Sequence, residues 1–167
     1  MSHRLQATTT LLSLLVRRGE TVAVAESLTA GLIGAALADP PGASSAFVGG
    51  VVSYATELKH RLLGVPADLL AREGAVHPEV AAAMASGVRR LTGATYGLAA
   101  TGVAGPGSQD GKPPGVVHLA VSGVGGRVWH RDLNLAGTRE EIRQFTVNEA
   151  VDLLRGVLEA NLGEQSG

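Results

Sequence analysis

The chain has 167 residues, enough for one domain with a sizeable core, and its hydrophobic fraction of 45% argues against disorder. The absence of cysteine excludes disulfides, thiolate metal sites and a cysteine nucleophile, and a net charge of −1 offers no electrostatic basis for binding nucleic acid or an anionic membrane. Apolar runs fall short of the ~20 residues that span a bilayer, and the N-terminal segment lacks a signal-peptide core, so we expect a cytoplasmic protein.

Helices and strands alternate along most of the chain. The patterns predict, in order, a helix closed by Gly19, a strand at 21–25, a helix ending before Pro40, a strand at 47–54, a short helix at 57–63, a helix opening at Pro78, a strand at 96–101, a hairpin of 116–122 with 127–135, and a last helix from a capping box at Thr138 to about Gly163. We therefore predict an α/β fold: a single layered α/β/α domain, residues 1–167 with a core at about 7–160, around a mixed sheet of about five strands.

The turn between the first strand and the next helix contains Ser27. Ligand groups collect where strands of α/β sheets end, and a helix N-terminus stabilises negative charge, so Ser27 could serve as a nucleophile if a base lies nearby. A simpler interpretation, which spacing alone favours, is that Ser27 or Thr29 caps the helix.

Lysine is rare in this chain, and Lys59 and Lys112 are its only two examples among 14 basic residues. Arginine cannot lose its proton at workable pH, whereas a desolvated lysine can, so these two are the candidates for a lysine base. Lys59 and Tyr54 lie near a second junction between a strand and a helix. The alternative is a solvated Lys59 paired with Glu57 and a Tyr54 packed over the sheet rim, and that segment by itself favours this alternative.

Two further segments suit an anionic ligand. Gly102, Gly105 and Gly107 form a G-x-x-G-x-G loop that could bring backbone N–H groups to a phosphate or an oxyanion, although the pattern alone is weak. Arg139 and Arg143 lie four residues apart in the first turns of a helix, where cations oppose the helix dipole, so they either meet an anion or pair with nearby carboxylates. The five histidines show no metal-ligand spacing, and we predict no metal site.

In their order and spacing these segments resemble the CinA C-terminal domain family from about Ala7 to Leu158. The matching strings are Ala25-Glu26-Ser27-x-Thr29-x-Gly31, Pro41-Gly42-Ala43-Ser44, Gly49-Gly50-Val51-Val52-Ser53-Tyr54 with Lys59, Leu63-Gly64-Val65, Gly74-Ala75-Val76, Thr101 to Gly107, Lys112-Pro113-x-Gly115, and Gly137-x-Arg139 with Arg143. No single string is decisive, but together they are highly specific. The chain departs from the family pattern at Leu28, Ala30 and His77, which we expect to alter the pocket.

The resemblance implies a metal-independent amidohydrolase that converts nicotinamide mononucleotide (NMN) to nicotinate mononucleotide and ammonia in pyridine-nucleotide recycling, without a cofactor. It implies Ser27 as nucleophile, Lys59 as base and Tyr54 as a supporting polar group. Substrate and oxyanion contacts are expected from Thr29 and from the loop residues Thr101, Gly102, Gly105, Pro106 and Gly107, and contacts to the phosphate or the far end of the nucleotide from Arg139 and Arg143.

Two alternatives stay open at this point. The first is a Ser–Lys amidase acting on a different amide, and the second is a non-catalytic nucleotide-binding or interaction module linked to competence or the DNA-damage response. We also expect a homo-oligomer, a dimer or higher, with no nucleic-acid or membrane partner.

Overall fold

A computed structural model of the protein describes residues 2–165, with side chains as far as residue 161. Its elements are α1 (His3–Arg18), β1 (Val22–Glu26), α2 (Leu32–Ala38), β2 (Phe47–Val52), α3 (Thr56–Leu63), α4 (Ala67–Glu73), α5 (Pro78–Thr92), β3 (Tyr96–Gly102), β4 (Val116–Ser122), β5 (Val128–Asn134) and α6 (Arg139–Gln165). The predicted elements are confirmed in order and type. Helix α4 is additional, and it is short and contributes one fully buried side chain, Leu69.

One five-stranded mixed sheet, in the order β2-β1-β3-β4-β5, organises the fold. Strands β2, β1 and β3 run parallel to one another, while β4 pairs antiparallel with both β3 and β5. The carboxyl ends of the three parallel strands therefore meet at one edge of the sheet, which is where α/β folds place ligand groups. The α/β fold and its mixed five-stranded sheet agree with the prediction.

Helices cover both faces of the sheet. On one face, branched side chains such as Val24 and Leu98 pack against α1, α2 and α6. On the other face the sheet presents alanines, among them Ala25 and Ala99, to α4 and α5. A Cβ atom added at Gly97 of β3 would lie 2.0 Å from the backbone oxygen of Ala85 in α5, so this helix rests almost directly on the sheet.

The start of α6 follows the predicted capping box. The backbone N–H of Glu141 donates to Thr138 Oγ1 over 3.2 Å, and the backbone N–H of Thr138 donates to Glu141 Oε1 over 3.0 Å. This reciprocal pair fixes where the helix begins. It thereby places Arg139 and Arg143 on the first turns, close to the carboxyl edge of the parallel strands.

Candidate active site

Ser27 is the first residue after β1, at the carboxyl edge of the sheet. Its backbone N–H donates to the carbonyl of Ala100 in β3 over 3.1 Å, so the neighbouring strand fixes its main chain. Only 9% of the residue is exposed. The sheet therefore holds Ser27 in a defined position under little solvent.

Glu26, one residue earlier, has a role that sequence reasoning missed. Its side chain is 2% exposed and accepts hydrogen bonds from the backbone N–H groups of Ile33 (2.8 Å) and Gly34 (3.1 Å) in α2. The N-cap of α2 is Gly31, which has no side chain to offer. The interpretation of Ser27 or Thr29 as the helix cap is therefore wrong, since the Glu26 carboxylate binds the free N–H groups. A charged residue at the end of an apolar strand was the available signal.

Lys59 reaches Ser27 from α3. Its Nζ donates to Ser27 Oγ over 3.1 Å and to the backbone oxygen of Ser53 over 2.6 Å, and the residue is 1% exposed. Glu57 lies instead 3.8 Å from Arg61 on the solvent side of the same helix. The alternative of a solvated Lys59 paired with Glu57 is therefore wrong, and the structure joins the serine and the lysine in one buried hydrogen bond.

Burial also changes the acidity of Lys59. Removal from water lowers the pKa of Lys59 from its usual 10.5 to about 8, and the negative charge of Asp110 partly opposes this change. A substantial fraction of Lys59 is therefore neutral just below pH 8. A neutral amine 3.1 Å from a hydroxyl is a competent general base.

A cavity of about 230 Å³ opens beside Ser27. It is lined by the predicted residues Ser27, Tyr54, Gly102, Gly105, Gly107 and Arg139, by Leu28, which was expected to alter the pocket, and by Val103 and Ala104 of the same loop. Ser108 and Gln109 also line it and were not predicted. Arg139 spans part of this lining, since its guanidinium donates to the Gly105 carbonyl over 2.5 Å and to the Tyr54 hydroxyl over 3.1 Å. Tyr54 is 57% exposed, so it belongs to the wall of the cavity and hydrogen-bonds Arg139, whereas Lys59 bonds Ser27 and Ser53.

Four predicted substrate-binding residues are not among those that line the cavity. The Thr101 hydroxyl donates to the carbonyl of Ala75 over 2.8 Å, and Pro106 is exposed between two lining glycines. Arg143 donates from Nε to the Leu28 carbonyl over 2.9 Å, which braces the turn after Ser27. Thr29, the fourth, is fully buried in that turn, and its hydroxyl has no hydrogen-bond partner within the described residues.

The departures from the family pattern fall in different places. Leu28 lines the cavity and also packs in the core. Ala30 is exposed in the turn with φ +48°, and His77 caps α5 by accepting a hydrogen bond at Nδ1 from the backbone N–H of Glu79. Leu28 therefore shapes the cavity, whereas Ala30 and His77 are not among its lining residues.

Backbone donors are available around Ser27. Across residues 2–165, no acceptor is found for the N–H groups of Leu28 and Thr29, which follow Ser27, or for those of Ala104 and Gly105 in the glycine loop. In acyl transfer the N–H after the nucleophile commonly binds the developing oxyanion. The arrangement thus places a hydroxyl, an amine with a lowered pKa and free backbone donors around one cavity.

Two searches of the described residues bear on other functions. No group of three or more His, Asp or Glu side chains in that part of the chain could hold a metal ion. None of the helices within residues 2–165 has the length and apolar composition needed to cross a membrane.

Comparisons with known sequences agree with one another. The CinA C-terminal domain model matches residues 4–158. A CinA-like protein of Frankia casuarinae is 55% identical over 148 residues, which are 89% of this chain and 34% of that protein. A putative competence-damage inducible protein of Desulforamulus reducens is 52% identical over 146 residues, 87% of this chain and 35% of that protein. The chain thus spans about a third of the length of these curated relatives.

Solved structures show the same fold. The competence/damage inducible protein CihA of Agrobacterium tumefaciens superposes with a TM-score of 0.90 at 34% identity, covering 95% of this chain and 97% of that one. A CinA superfamily protein of Klebsiella pneumoniae gives a TM-score of 0.91 at 31% identity, with 95% and 99% covered. The matched model, the relatives and the architecture lead to one conclusion: the chain belongs to the CinA C-terminal domain family.

Proposed function

We propose that this chain hydrolyses the carboxamide of NMN, without a metal, to nicotinate mononucleotide and ammonia. The observation that carries the proposal is the buried hydrogen bond between Lys59 Nζ and Ser27 Oγ, 3.1 Å long, at the edge of a cavity. The resemblance of the surrounding motifs to NMN amidohydrolases supplies the substrate. The reaction would serve pyridine-nucleotide recycling in the cytoplasm.

The pair accounts for both halves of the reaction. Neutral Lys59 takes the proton of the Ser27 hydroxyl while Oγ attacks the carboxamide carbon, and the tetrahedral intermediate then collapses as the Lys59 ammonium protonates the departing nitrogen. Ammonia leaves, and the acyl group stays on Ser27. Water, deprotonated by Lys59, attacks this ester, and the same proton passes to Ser27 Oγ as the carboxylic acid is released. The acid then loses its remaining proton to solvent and becomes nicotinate mononucleotide.

Free backbone donors support the oxyanion step. The N–H groups of Leu28 and Thr29 have no acceptor among the described residues, and Leu28 lines the cavity. One such donor is often worth ~3 kcal/mol to the transition state. Arg143 donates to the carbonyls of Leu28 and Thr29, at 2.9 and 3.5 Å, and so orients the peptide group that carries the Thr29 N–H, which is joined to the Leu28 carbonyl.

The charge of Arg139 and the size of the cavity favour a nucleotide that enters by its carboxamide end. Arg139 lines the cavity and forms no ion pair with a carboxylate in the described part of the chain, so its charge is free to attract an anion. At about 230 Å³ the cavity is smaller than the ~300–1,000 Å³ typical of whole-ligand pockets. The ribose and phosphate would therefore extend past Tyr54 and Arg139 towards solvent.

Ammonia release from NMN tests the proposal. We expect release by the purified protein at some pH between about 6 and 9, the range for a base tuned near neutrality, and loss of release in Ser27→Ala and Lys59→Ala with the fold unchanged by circular dichroism. Ser45→Ala, at an exposed serine, and Lys112→Arg, at the other lysine, are the matched controls and should retain it. Absence of release across the range would refute the proposal, and an active Ser27→Ala would refute the mechanism.

A second candidate is a Ser–Lys amidase for a different amide. It is favoured by Leu28, which departs from the family pattern and lines the cavity. A panel of primary carboxamides, with and without a phosphate, separates the two, since a faster reaction on a phosphate-free amide would favour this candidate.

A non-catalytic role is the third reading. The curated relatives are called competence-damage inducible, and NMN binding without turnover would favour a nucleotide-binding or interaction module. The expected homo-oligomer, a dimer or higher, is tested by light scattering of the purified chain.

A further inference from the structure

Buried polar atoms without a partner cluster at this site. Across the described side chains, three such atoms occur, namely Thr29 Oγ1, Ser53 Oγ and Asn161 Oδ1. One of them belongs to Ser53, whose carbonyl accepts from Lys59, and another to Thr29, two positions after Ser27. An unsatisfied buried hydroxyl costs about 1–3 kcal/mol, so its presence calls for a functional explanation.

Ser53 is tied to both members of the pair through its main chain. It is fully buried, its backbone N–H donates to the carbonyl of Glu26 over 2.9 Å, and its own carbonyl accepts from Lys59 Nζ over 2.6 Å. Glu26 directly precedes the nucleophile. Ser53 thus lies between the strand that carries Ser27 and the amine that activates it, with its side-chain oxygen unused.

Counting the protons on Lys59 shows where that oxygen is needed. An ammonium group carries three N–H donors, and Lys59 has two acceptors within the described residues, Ser27 Oγ and the Ser53 carbonyl. In the neutral amine that acts as base, the lone pair faces the Ser27 hydroxyl and two N–H donors remain, with the Ser53 carbonyl as their acceptor. One N–H therefore lacks an acceptor in either state, and a hydrogen bond to it is stronger in the ammonium, because charge-assisted hydrogen bonds are the stronger ones.

We propose that Ser53 is a positioning residue whose hydroxyl accepts a hydrogen bond from the third N–H of the Lys59 ammonium. Rotation about χ1 moves Oγ without disturbing the contact between the Ser53 carbonyl and Nζ. The inference rests on the proposed function, because it gives the hydroxyl a role in a reaction where Lys59 acts as base. Counted from the neutral, active form of Lys59, a contact that is stronger with the ammonium lowers the barrier to proton transfer without tightening substrate binding.

The charged groups around Lys59 do not depend on the Ser53 hydroxyl. Asp110, beyond the glycine loop, raises the pKa of Lys59 from across the site. Most of the other ionisable groups on the surrounding elements have partners of their own. Glu57 pairs with Arg61, Arg72 and His77 lie next to Glu73, and the Glu26 carboxylate accepts from the backbone N–H groups of Ile33 and Gly34. Arg139, Arg143 and Arg89 donate to backbone carbonyls, and the remaining groups, Asp68, Glu79 and Arg90, are exposed to solvent. Removing the Ser53 hydroxyl alters none of these groups.

Direct titration of Lys59 tests the contact without any substrate. With lysine labelled at 13Cε, the chain gives two lysine signals, and Lys112→Arg assigns them by removing one. We expect a wild-type midpoint of about 8 and a midpoint in Ser53→Ala lower by about one pH unit, a tenfold loss of proton affinity for one hydrogen bond to a charged group. Ser53→Thr keeps the hydroxyl and should restore the wild-type midpoint.

The outcomes separate this proposal from the proposed function. An unchanged or raised midpoint in Ser53→Ala overturns the Ser53 contact, even if NMN is hydrolysed. A lowered midpoint in a chain that does not hydrolyse NMN supports the contact and refutes the amidase. If Ser53→Ala does not fold, Ser53→Cys replaces the hydroxyl by a poor acceptor of similar shape, and the same downward shift is expected.

Discussion

Replacing the buried lysine should stabilise the protein while removing its activity. Lys59→Met introduces an apolar, unbranched side chain of similar length and removes the amine that hydrogen-bonds Ser27 Oγ and the Ser53 carbonyl. The folded state holds the pKa of Lys59 at about 8 against 10.5 in the unfolded chain, and at about 1.4 kcal/mol per pH unit the buried charge costs on the order of 3 kcal/mol near neutrality. Leaving the Ser53 carbonyl without its donor costs about 1–3 kcal/mol. The net gain at pH 7 is about 1 kcal/mol.

The pH dependence of this gain is its signature. Below pH 8 both states of the wild type carry the proton, and the full cost is present. Between pH 8 and 10.5 the folded state has released the proton that the unfolded state keeps, so rising pH stabilises the wild type but not Lys59→Met. Relative to the wild type, the variant should therefore lose about 2 kcal/mol of stability between about pH 7 and 9.5, so its advantage of about 1 kcal/mol becomes a disadvantage of similar size.

Urea unfolding of the wild type and of Lys59→Met, from about pH 7 to 9.5, measures the difference between their free energies of unfolding. The titration of every other group contributes equally to both proteins and cancels in this difference. Lys112→Met, at the other lysine, is the matched control and should show no comparable trend. A constant difference between wild type and Lys59→Met from pH 7 to 9.5 would show that Lys59 is not held at a lowered pKa, and the assignment of a lysine base would fall with it.

Further predictions concern rate and packing. Because only neutral Lys59 can take the serine proton, log kcat/KM for NMN should rise with unit slope up to pH about 8 and then level off, and a flat profile from pH 6 would contradict this. Gly87→Ala should lower the free energy of unfolding by about 3 kcal/mol or more in urea titrations, since the new Cβ would lie 1.9 Å from the backbone oxygen of Leu63. Gly156→Ala, with open space around its Cβ, should raise the free energy of unfolding by about 0.5–1 kcal/mol. Equal effects of the two substitutions would refute the packing argument. Ala30→Gly should raise stability by up to about 1 kcal/mol, because φ is +48° at this position, and a loss of more than about 1 kcal/mol would contradict that strain.

The fold was largely predictable because its elements have clear local patterns. Apolar runs predict the strands, and Gly19, Pro78 and the Thr138 capping box mark helix ends that the structure confirms. Helix α4 was missed because it has only seven residues and one fully buried side chain, Leu69, too few for a helical period to show.

Part of the lining of the candidate site could be predicted from the sequence, but the environment of its residues could not. Ser27 and Lys59 are 32 positions apart, and only the tertiary fold shows that Lys59 is buried against the serine. Arg139 and Arg143 were indistinguishable as two cations on one helical face. In the structure Arg139 lines the cavity and Arg143 braces the turn behind it, a division that depends on where α6 crosses the sheet edge.

The alanine and glycine layer between α5 and the sheet gives the two faces of this protein opposite mutational tolerances. Ala25, Ala99 and Gly97 have no rotatable side-chain carbons, so this layer cannot rearrange and has almost nothing to delete. Larger residues are excluded there, whereas on the opposite face, where residues such as Leu98 pack, the damaging change is truncation. Sequence drift in this chain should therefore be held to small residues on the α5 side of the strand that ends just before Ser27, while the opposite face can exchange one branched residue for another.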